Sequence, residues 1–392
     1  MVRLPADRNW TVILNNVILP RTGSAICLLV TLGLGACAPA RPPSVVPSAP
    51  GPTLPLALTW LGEFTRPSAS VYPLLSDSAR FGSVSGLALD TTSGQWIGAI
   101  DDRDSTRVAW LTIEFGGGRL QVTPTRLMAL TPGPGVADRV ARESDLEAIV
   151  ALPDGTFLMG EEGHVLDGEV WQPAILHVTR DGVVLGVTAY PGNFSITDDP
   201  GRGLRDNQGF ESLTRMPSGR VIAGLEQPLK QDGEPTSFTR PAAGRLIAFE
   251  RRGSEWQPGI EWRYMISPTP RLDGFPQICS DGENGLVDLL ALTETTLVAM
   301  ERACLLDAAG EHSANAVQLF TVELIGNEAR KRPLLDLAKL APKLSPAIAR
   351  LENFEALAFG PTLPNGTRTL LVVSDDNFRA TQKTSFLLFG IR

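Results

Sequence analysis

Between Leu56 and the C-terminus the chain is written as short apolar runs closed by turn residues. Val183 to Ala189, Arg220 to Leu225, Leu246 to Phe249, Thr296 to Met300, Leu370 to Val373 and Phe386 to Phe389 are such runs. Pro153-Asp154-Gly155, Arg180-Asp181-Gly182, Pro217-Ser218-Gly219 and Pro364-Asn365-Gly366 fall between runs. Asp-Gly and Asn-Gly supply the positive φ angles that tight hairpins need, so the pattern predicts strand, turn, strand. Helical periodicity is scarce. Leu334 to Leu351 is the one candidate, and Pro342 and Pro346 interrupt it. The glycine run Gly116-Gly117-Gly118 lies between strand-like segments and reads as a turn.

A phrase recurs within this pattern. Asp145-Leu146-Glu147-Ala148-Ile149 returns as Gly209-Phe210-Glu211-Ser212-Leu213 and as Asn353-Phe354-Glu355-Ala356-Leu357. Looser copies are Gly285-Leu286-Val287-Asp288-Leu289-Leu290 and Ser85-Gly86-Leu87-Ala88-Leu89. After each copy come a turn and a second apolar run ending in acid: Asp101-Asp102, Glu161-Glu162, Glu226, Glu301 and Asp375-Asp376. Radial repetition of antiparallel sheets gives a β-propeller, whose axis collects equivalent residues from every blade. Repeat starts near 85, 145, 210, 286 and 353 are spaced more widely than the roughly 40–50 residues of one blade. The expected fold is therefore an all-β propeller of six blades, with five and seven as alternatives. Leu56 to Leu61 is expected to pair with Ser385 to Ile391 and close the ring. A β-sandwich, the competing all-β architecture, would not place acids so regularly.

The first residues follow a different logic. Arg3, Arg8 and Arg21 precede an apolar stretch from Ala25 to Leu34, which ends Leu34-Gly35-Ala36-Cys37. The stretch is short for the roughly 20 residues a bilayer span needs. It looks like a bacterial lipobox, which implies a signal peptide over 1–36 and lipidation at Cys37. A proline-rich tether, 37–57, would then separate a membrane anchor from a folded domain over 58–392. The expected location is the cell envelope, on its periplasmic or extracellular face. In that oxidising compartment the remaining cysteines, Cys279 and Cys304, are expected to pair.

Charge narrows the partners. With 35 basic and 43 acidic residues the net charge is -8, and no basic stripe is visible, which argues against nucleic acid. Clustering the recurrent acids on one axis is unfavourable, because like charges raise each other's pKa, and such clusters are tolerated when a cation sits among them. Oxygen-only ligands suit hard divalent cations, Ca²⁺ first and Mg²⁺ or Mn²⁺ after it. The candidate ligands are Asp101, Asp102, Glu147, Glu161, Glu211, Glu226, Asp288, Glu301, Glu355 and Asp375. Glu147, Glu211 and Glu355 are also the candidate catalytic carboxylates. Arg142 and Arg205, with Arg302, are placed to grip a phosphate through the guanidinium fork.

Three stretches together resemble the phytase-like family, also described as "esterase-like activity of phytase". They are Arg142 to Ile149, Asp206 to Leu213, and Asn353 to Ala358 with Val373 to Phe378. The resemblance spans roughly 58–392 by the extent of the repeats. It implies a propeller rich in acids and a phosphoester-hydrolase activity on a small phosphate ester, in a protein read as a monomer. Two units depart from the pattern: Leu87 stands where the first would carry an acid, and Asp288 replaces Glu in the fourth.

Other chemistries find little support. His164, His177 and His312 are the only histidines, too few for a His-rich metal site. No Gly-x-Ser-x-Gly elbow is present, since Gly82-Ser83-Val84-Ser85-Gly86 has Val at its centre. No phosphate-binding loop or dinucleotide fingerprint is visible. Two alternatives remain. One is a non-catalytic binding propeller whose acids serve stability. The other is a lactonase-like hydrolase using Asn207 or Asn353.

Overall fold

The computed structural model describes residues 56–392, apart from 69, 72–79, 104, 139, 141–142 and 347–349. The expected signal segment, Cys37, nearly all of the expected tether and Arg142 lie outside the described residues.

Turn residues set the hairpins where the sequence puts them. Gly155, Gly182, Gly219 and Gly366 take φ of 82°, 81°, 95° and 82°, a region open to glycine and costly for other residues. Gly117 and Gly118 form a turn of the same kind, at 58° and 76°. Each repeat closes into an antiparallel sheet of four strands. Blade 1 comprises Val84–Asp90, Gln95–Ile100, Arg107–Gly116 and Arg119–Ala129. Blade 2 comprises Leu146–Ala151, Phe157–Glu161, Ala174–Val178 and Val183–Ala189, with Thr131–Pro132 added in parallel at its edge. Blade 3 comprises Phe210–Arg215, Val221–Leu225, Ala242–Arg252 and Glu255–Ile266. Blade 4 comprises Gly285–Ala291, Thr296–Leu306, Ser313–Ile325 and Glu328–Asp336. Blade 5 takes Asn353–Phe359, Thr369–Asp375 and Lys383–Ile391 from the C-terminal end, and its outer strand, Leu58–Pro67, from the beginning of the domain.

The fold is thus a β-propeller of five blades, the smaller alternative to the expected six. Long connections account for the wide repeat spacing. The closing strand pairs as expected, in antiparallel register from Leu58↔Ile391 to Pro67↔Lys383. Trp60 packs edge-on against Phe389 and Phe64 against Phe386, so aromatic contacts reinforce the ladder. The core is divided among the blade interfaces. Separate apolar clusters join blades 5 and 1, 1 and 2, 2 and 3, 3 and 4, and 4 and 5. Phe157, Phe210, Phe249, Phe354 and Phe386 are fully buried in them, each stabilising by roughly 1.5–3 kcal/mol.

Two local features differ in kind. Among the described residues of Leu334 to Leu351 there is no α-helix: the strand runs to Asp336, and short 3₁₀ turns follow at Leu337–Lys339 and Ala341–Lys343, with Pro342 inside the second. Cys279 and Cys304 are joined in a disulfide with their Cα atoms 5.4 Å apart. It ties the connection before blade 4 to that blade's second strand.

Candidate functional site

The first strand of every blade lines the axis, and each has the same irregularity near its start. The pairing register with the second strand slips by one residue, leaving Ser85, Glu147, Glu211, Val287 and Glu355 as the extra residues of blades 1 to 5. A bulge re-aims the side chain it frees. The second strands supply an equivalent set. Asp101, Glu162 and Glu226 donate backbone N–H bonds to the carbonyls of Ser83, Asp145 and Gly209, the residues just before the first strands. Arg302 pairs with Gly285 and Asp375 with Asn353 in the corresponding places. The axial end of the propeller therefore presents Ser85, Glu147, Glu211, Val287 and Glu355 from the first strands. From the second it receives Asp101, Glu162, Glu226, Arg302 and Asp375.

Blade 4 carries an acid in neither set, with Val287 in the first and the cation Arg302 in the second, while blade 1 has Ser85 in the first set and Asp101 in the second. Arg302 is 3.0 Å from Glu355 and 3.8 Å from Glu226. Burial disfavours its charge, yet Glu355 and Glu226 hold it protonated. On the opposite side, around blades 1 to 3, the acids form two groups: Asp101, Asp145 and Glu147, and Glu162, Glu211 and Glu226. In each group one oxygen per residue lies within 4.8 Å of the others. Glycine makes the second group feasible. A Cβ on Gly209 would lie 2.4 Å from the carbonyl oxygen of Glu162, and one on Gly285 2.6 Å from the Glu226 side chain. The Gly209 N–H instead donates to Glu162 Oε1 at 2.9 Å.

The electrostatics record the crowding. Burial, then Asp375 and Asp145, push Asp101 up to about 8. Burial raises Glu226 to about 7, with Arg302 pulling the other way. Glu147, Glu162 and Glu211 lie well above the carboxylate range, again through burial first and neighbouring acids second. Asp375 is raised for the same reasons, although it accepts from Ser83 Oγ at 2.8 Å and from the Asn377 N–H at 2.6 Å. Such a set holds protons or a cation, and carboxylate oxygens alone make up both groups, which fits a hard divalent ion.

Several sequence candidates are placed elsewhere. Asp288 is one residue past the bulge and points into the blade interface. Its oxygens accept from the backbone N–H of Leu289 at 2.7 Å and of Leu357 at 2.5 Å. Val287, not Asp288, holds the position of the recurrent Glu; in blade 1 Ser85 holds it, not Leu87. Glu301 turns away from the axis and is fully bonded. It accepts from Tyr264 Oη at 2.8 Å, Asn284 Nδ2 at 2.9 Å, the Ser267 N–H at 3.1 Å and Lys331 Nζ. Asp102 pairs with Arg107. Glu161 borders the site, accepting the Asp145 N–H at 2.8 Å. Arg205 is committed to the carbonyls of Pro228 and of Gly233, the latter at 2.9 Å.

Asp145, Glu162 and Arg103 belong to the site and were not among the candidates. Asp145 is fully buried and pairs with Arg103. His164 is also buried beside them. Its ring stacks on Trp171 with centroids 5.4 Å apart, and its Nδ1 is 3.8 Å from both Asp145 and Glu161. Burial pulls its pKa down, towards the neutral ring. The missing signal for Glu162 was register. Glu147 and Glu162, Glu211 and Glu226, and Val287 and Arg302 stand the same distance apart in sequence, which selects Glu162 over Glu161 and Arg302 over Glu301. Arg103 sits in a turn and belongs to no repeat.

Fold and site define a five-bladed β-propeller with a buried, carboxylate-rich axial site. The chain belongs to the phytase-like family described as "esterase-like activity of phytase", whose pattern it matches over residues 79–378. Curated proteins include no match to it. Among solved structures, an endo-arabinase from Bacteroides thetaiotaomicron is similar at 11% identity and a TM-score of 0.44, over 84% of this chain and 97% of that one. An exo-1,5-α-L-arabinanase from a bovine ruminal metagenomic library is similar at 10% and 0.36, over 79% and 92%. A gluconolactonase from Xanthomonas campestris is similar at 12% and 0.32, over 81% and 74%.

Proposed function

We propose that this protein is a metal-dependent hydrolase of small phosphate esters, exported and anchored through Cys37, with its site at the acidic end of the propeller axis. The observation that carries this reading is the pair of three-carboxylate groups, buried except for the half-buried Asp101, beside only Arg302 and Arg103 among the described cations at the axis. Asp101, Asp145 and Glu147, and Glu162, Glu211 and Glu226, would hold the ion, Ca²⁺ first. When bound, a divalent cation supplies charge neutralisation and polarises a phosphoryl oxygen. Glu355 lies outside both groups and is oriented by Arg302 and by Asn353 Nδ2 at 2.8 Å. It is the carboxylate placed to take a proton from the attacking water. Burial keeps its pKa above the usual carboxylate value, with Arg302 acting against that.

The binding-propeller alternative makes the acids structural. Asp288 and Glu301 fit that description, since each meets several donors in a blade interface. The two axial groups do not, because each gathers three carboxylates within 4.8 Å of one another, with Arg103 at Asp145 and Arg302 3.8 Å from Glu226 as the cations beside them. The test is turnover of nitrophenyl phosphate mono- and diesters with and without Ca²⁺, in wild type and Glu211→Gln. The reading predicts cation-dependent turnover that E211Q reduces at least about a hundredfold, in a protein that still folds. Wild-type turnover by E211Q would remove Glu211 from the mechanism. An inactive wild type under every cation would favour the binding propeller.

A further inference from the structure

One arginine reaches the axial acids from solvent. Arg103 lies in the turn after the second strand of blade 1, and 38% of its side chain is exposed. Its Nη2 meets Asp145 of blade 2 and donates to Asn207 Oδ1, on the connection into blade 3. A single side chain thus crosses the mouth of the site over three blades. Asn207 holds its end in a left-handed turn at φ 53°. Arg302 cannot take a comparable role, being held between Glu355 and Glu226 with only 14% of its side chain exposed. Arg205 is held by backbone carbonyls.

Asp145 has two claims on it. It is Arg103's partner, and it is also one of the three carboxylates beside Asp101 and Glu147. It is fully buried, and its Oδ1 accepts no hydrogen bond. A cation bound by this group neutralises the charge that holds the guanidinium. We infer that Arg103 is a cation-released anion clamp: a divalent ion at Asp101, Asp145 and Glu147 displaces its guanidinium from Asp145, and the freed fork binds the phosphate group of the substrate. The fork suits a phosphate, offering paired N–H donors and a fixed charge. Its exposure lets it move without unpacking the core. The inference rests on the metal reading above and adds to it a residue for substrate recognition and an order of binding.

The test is calorimetry on the full chain, titrating Ca²⁺ alone and then inorganic phosphate with and without Ca²⁺. Wild type is expected to bind phosphate only after Ca²⁺. Arg103→Gln is expected to bind Ca²⁺ several-fold more tightly, because a competitor for Asp145 is gone, and to bind phosphate about tenfold or more weakly. Arg103→Lys keeps the charge and loses the fork, so its Ca²⁺ affinity should match wild type while phosphate binding falls. A merely structural Arg103 would move both affinities in the same direction. Unchanged or weakened Ca²⁺ binding in R103Q, or phosphate binding equal to wild type, overturns the inference. Should R103Q fail to fold, full phosphate binding by R103K does the same. Wild type that binds no divalent ion would instead defeat the metal reading itself, a result seen before any variant is measured.

Discussion

At the scale of single residues, the axial carboxylates are stabilised as protons' partners rather than as ions. Asp101 and Glu161 sit at about 8 and Glu226 at about 7, each raised chiefly by burial from values of 3.8, 4.5 and 4.5 in the unfolded chain. Between those limits the unfolded chain releases protons that the fold retains, so stability falls as pH rises. The cation-free protein should therefore lose melting temperature, by several degrees in all, as pH rises from the unfolded values of 3.8 and 4.5 to about 8. Cation binding should run the opposite way, tightening over the same window because the ion competes with those protons. Differential scanning calorimetry across pH, with chelator and with Ca²⁺, checks both slopes. A melting temperature that rises with pH in chelator would contradict the electrostatic account.

At the scale of elements, a one-residue bulge decides which acids face the axis. Phe210-Glu211-Ser212 and Leu286-Val287-Asp288 occupy equivalent places, so Asp288 falls on the interface side and bonds the first strand of blade 5. Asp288→Ala should cost roughly 1–3 kcal/mol in urea unfolding, through the orphaned N–H of Leu357, and leave Ca²⁺ affinity unchanged. A loss of Ca²⁺ binding in D288A would return that residue to the site. The same feature explains what the sequence made readable. Recurring Glu147, Glu211 and Glu355 were visible because the phrase around them repeats. The tight turns and the closing strand were visible because their residue chemistry is local. Asp288 and Leu87 were misaligned because a bulge changes the phase of alternation and leaves no composition mark. Composition likewise does not tell Glu161 from Glu162, or assign the axial place to Arg302 rather than Glu301, because which of two adjacent residues faces the axis depends on pairing register. Asp145 and Arg103 come together only through the tertiary contact of blades 1 and 2.

At the scale of the molecule, five blade interfaces and the terminal closing strand form a rigid frame around a charge cluster that the frame itself does not neutralise. Arg302 compensates Glu355 and reaches Glu226, Arg103 pairs with Asp145, and two cations against the remaining acids of blades 1 to 3 leave an excess of carboxylates for an added ion. That is the central claim, and it is tested most directly by divalent-ion content and ion-dependent melting of the purified protein. A bound ion should raise the melting temperature in proportion to its saturation, and chelator should reverse the rise. The account predicts tight Ca²⁺ or a similar ion, a higher melting point with it, and loss of that increment in E211Q. Absence of bound metal, with a melting temperature indifferent to Ca²⁺, Mg²⁺ and Mn²⁺, would contradict it.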